Sequence, residues 1–286
     1  MKSIADCYPE LVERLAGVSQ TPNLDAQLLL AHVVGVNRSW VLAHPEALLS
    51  AQETAAIAEK IARLEAGEPL PYVIGEWEFY GLKFQISPAV LIPRPETELL
   101  VEKALLWLRA HPGEHLAADV GTGSGCIAVA LAKNHPSLRV IASDISLPAL
   151  EIARVNIKLH HLEARIECVQ ADLFPPTAVR FSLICANLPY IPANNLRRLK
   201  VHRWEPHVAL RGGQDGLELI RKLVAQLPQS QAGYSLLLLE IEARQGEAVR
   251  EIASAAYPRA KIELIPDLAG NDRLVAAEIS TGHPPL

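Results

Sequence analysis

Up to about residue 70 the apolar residues recur every three or four positions. The stretches ADCYPELVERLAGV, NLDAQLLLAHVVGV and SAQETAAIAEKIARLEAG carry this spacing, with Thr21, Asn23 and Ser50 as candidate helix caps and Gly17, Gly35 and Gly67 as stops. The pattern predicts a small N-terminal helical domain over residues 1–70, suited to packing or to recognising a partner. The period then changes. Across 71–92, PYVIGEWEFYGLKFQISPAVLI, aromatic and branched residues alternate around Tyr80 and Gly81, which predicts a β-hairpin linker. PRPETELLVEKALLWLRA follows, with proline and acids in the first turn of an expected helix.

From residue 116 short apolar runs alternate with helical stretches. LAADV, RVIAS, RIECVQ, RFSLICA and YSLLLLEI read as strands, separated by helices at 124–133, 147–160 and 216–228. This alternation predicts an α/β catalytic domain over 93–286, a parallel sheet with helices on both faces. The tail KIELIPDLAGNDRLVAAEI instead reads as two strands joined by a turn, an antiparallel hairpin at one edge.

Composition narrows the classes. Of 286 residues half are hydrophobic, as in a globular chain, and 286 residues suffice for one large or two smaller domains. The net charge of −5 argues against affinity drawn mainly from nucleic-acid phosphates. Asp6 and Glu10 stand where a signal peptide would need an apolar centre, and no apolar stretch reaches membrane-span length. A soluble cytoplasmic monomer that contacts neither membrane nor nucleic acid is the expectation. Cys7, Cys126, Cys168 and Cys185 form no CxxC pair, and His160 and His161 have no companion ligands, so buried thiols and no metal site are expected.

The first strand ends in GTGSG, which places Gly121, Gly123 and Gly125 before a helix, where backbone can turn tightly and approach a ligand. A dinucleotide fingerprint needs its third glycine where Cys126 stands, which weighs against NAD. The second strand ends at Asp144, roughly 20 residues beyond the loop, placed to accept from ribose hydroxyls. The third ends in Asp172 followed by Leu173 and Phe174, an acid for an adenine amino group with apolar contact beside it. Together these favour a nucleoside ligand without a pyrophosphate, S-adenosylmethionine being the obvious candidate.

The fourth strand hands over to CANLPY on the same carboxyl edge. Pro189 biases Leu188 toward extended backbone, so the Leu188 carbonyl is not consumed by a helix, and Asn187 adds a side-chain acceptor. Two acceptors side by side can take both hydrogens of a planar NH₂ group and aim its nitrogen at an electrophilic methyl. Tyr190 offers a ring to pack on the target group.

On these motifs the chain resembles the release factor glutamine N5-methyltransferases, the HemK/PrmC family. The matching pieces are PYVIGEWEFYGLKF, LIPRPETELLVE, DVGTGSGCIAVALA, SDIS, ADLF, NLPYI, EPHVAL with GGQDGL, QGEAV and DLAGNDRLV, spanning about 70 to 275. The resemblance implies a class I S-adenosylmethionine-dependent methyltransferase sheet, Rossmann-like, which leaves S-adenosylhomocysteine as product. It implies that Gly121, Thr122, Gly123, Ser124, Gly125, Asp144, Asp172, Leu173 and Asn187 hold the cofactor. Asn187, Leu188, Pro189 and Tyr190 would grip the substrate glutamine, with Asn187 and Tyr190 as the catalytic pair. The implied substrate is the glutamine of the Gly-Gly-Gln loop in class-1 peptide chain release factors.

Two positions depart from the family pattern: Leu188 replaces the first proline of Asn-Pro-Pro-Tyr, and EIEA at 240–243 replaces Glu-Ile-Gly, leaving Glu242 without a role. The chain's own GGQ at 212–214 falls in a family loop, which makes Gln214 a loop residue. Other targets share the chemistry. A ribosomal-protein glutamine is not separated by the catalytic-loop motifs. The adenine amino group of DNA is disfavoured by the acidic charge and the absence of a base-reading segment. A non-catalytic adaptor would leave both the cofactor edge and the amide grip without purpose.

Overall fold

The computed structural model describes residues 1–174, 179–196, 203–227 and 231–280. The chain divides into two compact units, Met1–Glu76 and Trp77–Leu286.

The first unit is helical: α1 (Ile4–Leu15), α2 (Pro22–Val34), α3 (Arg38–Ala43), α4 (Ala51–Glu65) and α5 (Leu70–Ile74). Ser3 and Ser50 open α1 and α4 with reciprocal capping boxes to Asp6 and Glu53, which satisfy orphan N–H groups of the first turn. Asn37 caps α3. Thr21 precedes α2 without a side-chain cap bond, and Asn23 lies inside that helix, accepting from the Tyr8 hydroxyl at 2.9 Å. Pro22 makes such a cap less needed, since its fixed φ suits the first turn. Leu11, Leu15, Leu29, Leu30 and Ile61 form the buried stripe.

The alternation over 71–92 overstates the ribbon, which comprises β1 (Glu76–Phe79) and β2 (Leu82–Gln85). Residues Leu70–Ile74 form a helical turn closed by Gly75, because a short apolar run between proline and glycine is compatible with either state. Tyr80 and Gly81 both take positive φ, as a two-residue hairpin turn requires.

The second unit continues with α6 (Glu98–Ala110), β3 (Leu116–Val120), α7 (Cys126–Asn134), β4 (Arg139–Asp144), α8 (Leu147–Leu159), β5 (Ile166–Gln170), β6 (Phe181–Ala186) and α9 (Ala193–Leu196). It ends with α10 (Glu218–Gln226), β7 (Gln231–Glu240), α11 (Gly246–Ala256), β8 (Lys261–Pro266) and β9 (Asp272–Ser280). Seven strands form one sheet in the order β5-β4-β3-β6-β7-β9-β8. The first five in that order run parallel, and β9 lies antiparallel to both β7 and β8.

Side-chain alternation assigns each face a cover. Ala118, Val120, Ile184, Ala186, Leu237, Leu239 and Val275 pack against Ile220, Leu223 and Val224 of α10 and Val249 of α11. Helices α6, α7 and α8 pack in series on the sheet's other strand contacts. Burial on both faces explains why these strands read as continuous apolar runs. The strand order reverses between β3 and β6, and such a switch point opens a crevice at the carboxyl ends of the strands.

Candidate active site

The crevice is a cavity of about 460 Å³, within the ~300–1,000 Å³ range of small-molecule sites. One wall is the loop from β3 to α7. Gly121 takes φ +71°, and a Cβ there would meet the Leu188 side chain at 3.0 Å, so only glycine lets the two loops close together. The loop is pinned from behind. Buried Asp119 accepts from the Thr122 hydroxyl and from the Ala128 N–H, and buried Asn156 donates to the Ser124 carbonyl at 2.8 Å. Burial pushes the Asp119 carboxyl up to about 6, and its Oδ1 has no hydrogen-bond partner among the described residues. The Cys126 thiol is pushed up to about 12 by burial, which makes it a packing group rather than a nucleophile.

Asp144 closes β4 and crosses to the glycine loop. Its Oδ2 accepts from the Gly123 N–H and its Oδ1 from the Ser146 N–H, both at 2.9 Å. Burial raises its carboxyl, and the two N–H bonds oppose that rise. Each oxygen still has a lone pair for a ligand hydroxyl. Leu173 is buried with φ +69°, a strained value for a branched residue, and its carbonyl accepts from the Ser143 hydroxyl at 2.8 Å. Asp172 lines the cavity but pairs with Lys222 of α10, an exposed ion pair that shares its charge.

The adjoining wall is the loop after β6. The Asn187 Nδ2 donates to the Thr97 hydroxyl at 3.1 Å, which leaves Oδ1 on the other side of the amide. Among the described residues no donor reaches the Leu188 carbonyl oxygen. Asn187, Leu188 and Pro189 line the cavity, as do Gly121, Thr122, Gly123, Ser124, Asp144, Asp172 and Leu173. Gly125 and Tyr190 do not. Gly125 caps α7 behind the loop, and the Tyr190 phenol lies near Glu240, Arg273, Arg94 and Glu96, pushed up to about 12 by burial.

Several residues at this site had no role assigned from sequence. Thr97, which lines the cavity, and Glu240, which does not, are each 2% exposed and neighbour Asn187. Arg94 lines the cavity and its guanidinium donates to both oxygens of buried Glu205, whose acid also accepts from the Ile92 N–H. Two loops brace the grip: in GGQDGL the Gly212 N–H donates to the Ile191 carbonyl, and from the turn before α11 Gln245 donates to the Tyr190 carbonyl at 3.0 Å. Gln214 is exposed in that loop. Glu242 caps the turn at Ala243–Gln245 by accepting from the Arg244 N–H. The sequence signals for Glu240 were an acid ending the LLLL run and the Glu of the Glu-Ile-Gly pattern that EIEA otherwise departs from.

A parallel sheet closed by an antiparallel last pair, with a nucleoside-sized cavity at its reversal point and an acid at the second strand's end, defines a class I methyltransferase. Residues 97–203 match the methyltransferase small domain, and residues 8–75 match the PrmC N-terminal domain. Over 271 residues the chain is 39% identical to the release factor glutamine methyltransferase of Koribacter versatilis, covering 93% of this chain and 94% of that one. Its counterpart from Moorella thermoacetica is 40% identical over 272 residues, covering 94% and 95%. A solved methyltransferase from Pyrococcus furiosus, 16% identical, shares the fold with a TM-score of 0.52 over 81% of this chain and 100% of that one. The chain belongs to the release factor glutamine methyltransferase family, and with it to the enzymes that use S-adenosylmethionine.

Proposed function

We propose that this chain transfers a methyl group from S-adenosylmethionine to the side-chain amide nitrogen, N5, of the glutamine in the Gly-Gly-Gln loop of class-1 peptide chain release factors. The observation that carries this reading is a pair of acceptors uncommitted among the described residues, the Asn187 amide oxygen and the Leu188 carbonyl, on adjacent residues at the cavity wall. When bound, the cofactor supplies a methyl group on positively charged sulfur.

The residues present fit such a ligand. Gly121, Thr122, Gly123 and Ser124 give an approachable backbone wall, with Gly125 capping the helix behind it. Asp144 offers the remaining lone pairs of an already anchored carboxylate to the ribose hydroxyls, and Asp172 and Leu173 border the cavity beyond β4. Asn187 and Leu188 each accept one hydrogen of the glutamine NH₂. This orients a nitrogen whose lone pair is delocalised and favours the positive charge that grows on it. The proton becomes acidic only as the new bond forms, so no base is needed beforehand. Pro189 holds the loop extended, and Tyr190, neutral at working pH, walls the amide grip from outside the cavity. The chemistry calls for no metal ion and no nucleic acid, and a cytoplasmic monomer suffices for it.

The test is transfer of label from S-adenosylmethionine to a release factor, to the same factor with its loop glutamine replaced, to ribosomal protein and to DNA. Label in the unaltered release factor, lost with the replaced glutamine, is expected. Label confined to ribosomal protein or to DNA overturns the assignment.

A further inference from the structure

Glu240 closes β7, and the register that pairs Leu239 with Ala186 sets it beside Asn187 at the end of β6. It is 2% exposed, it does not line the cavity, and its Oε2 has no hydrogen-bond partner among the described residues. A carboxylate is costly in such surroundings. The positive group that acts on it, Arg273 of β9, is itself bonded to Asp267 and to the Ile241 carbonyl. The Thr97 hydroxyl, the Arg273 charge and the Asn187 amide stabilise its charged form, while burial and Glu96 oppose it.

The two ends of an Asn amide are almost identical in shape, so only hydrogen bonding decides which end faces the cavity. Thr97 cannot decide it alone, because a hydroxyl donates or accepts with equal ease and could turn to meet a reversed amide. An ionised carboxylate only accepts. With Glu240 charged, the Thr97 hydrogen and the Asn187 Nδ2 hydrogens are both drawn toward it, and the amide oxygen is left for the cavity. A reversed amide would set its oxygen against that charge. We infer that Glu240 is a positioning residue that locks the Asn187 amide with its oxygen toward the substrate nitrogen. This role rests on the reading of the site as a glutamine methyltransferase and adds to it the group that sets the direction of the grip.

The groups facing Glu240 are Arg273 from β9, Glu96 and Thr97 ahead of α6, Asn187 and Tyr190 after β6, and the Cys126 thiol at the start of α7. Tyr190 and Cys126 are each pushed up to about 12 and do not titrate near neutrality. Burial raises Glu240 above its ordinary value, up to about 7, so its charged form is lost as pH falls through that point. The turnover number should therefore rise with pH through about 7.

The experiment uses the full chain with release factor as substrate and compares it with E240Q, whose amide can donate as well as accept. E240Q should lower kcat by about 10- to 100-fold, the usual effect of an outer-shell group. Cofactor Kd by calorimetry should stay within about twofold, and the rise of kcat near pH 7 should disappear. The swap N187D/E240Q, which restores an accept-only group facing a donor, should recover kcat at least about tenfold over N187D alone. E240Q with unaltered kcat and an unaltered pH profile overturns the inference. Should E240Q fail to fold, the unaltered chain decides: a kcat that is flat from about pH 6 to 8.5 overturns it equally. Absence of transfer by the unaltered chain would instead strike the function reading first, and this role with it.

Discussion

Replacing Gly216 by alanine should disable the amide grip without touching the cofactor. Gly216 sits at φ +83°, and a Cβ there would overlap the Tyr190 carbonyl oxygen and lie 2.6 Å from Gln245 Nε2. Those two atoms form a 3.0 Å hydrogen bond, so the methyl group lands on a seam that fixes the catalytic loop from behind. Holding alanine in the left-handed region costs about 1–2 kcal/mol. Breaking the Gln245 bond to make room costs about 1 kcal/mol more. The sum, about 2–3 kcal/mol, corresponds to a fall of roughly 4–12 °C in the unfolding midpoint of a unit this size. The effect on catalysis should exceed the effect on stability, because the oxygen displaced lies two residues from the Leu188 carbonyl, and misplacement by about 1 Å can cost around 100-fold in rate. Gly216 does not line the cavity, so cofactor affinity should hold. The assays are differential scanning calorimetry, cofactor titration and initial rates on release factor. A folded G216A whose kcat stays within about threefold of the unaltered chain would refute the bracing role of this loop.

Asn187→Ala should remove at least about 100-fold from kcat while leaving the cofactor Kd nearly intact, since it deletes one acceptor of the target amide; equal loss of cofactor affinity in calorimetry would contradict that division. Asp144→Ala should weaken cofactor binding by roughly 1–3 kcal/mol for a lost charge-assisted hydrogen bond, with some loss of loop order because Gly123 and Ser146 lose their acceptor. An unchanged Kd would remove Asp144 from the site. Arg94→Ala strands buried Glu205 and should destabilise the fold by about 2–4 kcal/mol, reduced from the fully buried case because Arg94 is about one-third exposed. Burial already raises the Glu205 acid, and losing Arg94 raises it further. The neutral form is then tolerated at low pH, so urea unfolding should show a larger loss at pH 8 than at pH 5, and the opposite trend would contradict the assignment.

The sheet was legible because its parallel strands are buried on both faces. LAADV, RVIAS and RFSLICA are mostly apolar, and each lies within a residue of its observed strand. The hairpin was legible at its Tyr80-Gly81 turn but not at its beginning, since PYVI carries no period long enough to separate helix from strand. Site residues that interrupt an apolar run, such as Asp144 and Asn187, announced themselves locally. Thr97, Glu205 and Glu240 did not, because each acquires its meaning from a partner far along the chain. Asn187 meets Thr97 across 90 positions, and Arg94 meets Glu205 across 111. The Glu240 position is set by strand register, which no local spacing encodes. Glu242, two residues on and a departure from the family pattern, is a half-buried turn cap.

Leu188 shows how one loop geometry can be reached by different physics. A proline at this place would stiffen the backbone and favour the fold by about 0.4–1 kcal/mol through the unfolded chain. Leucine forgoes that gain but is 3% exposed, with its methyl against Gly121, and burial of such a side chain contributes about 1.5–3 kcal/mol. Pro189 still biases Leu188 toward extended backbone from the following position. The carbonyl that meets the substrate belongs to the main chain and is present in either residue. Side-chain packing therefore offsets the missing ring, and the price of the exchange is that the grip depends on Gly121 remaining free of a Cβ. The cofactor loop and the amide grip thus meet at the contact between Gly121 and Leu188, and a side chain added at Gly121 should be felt in both.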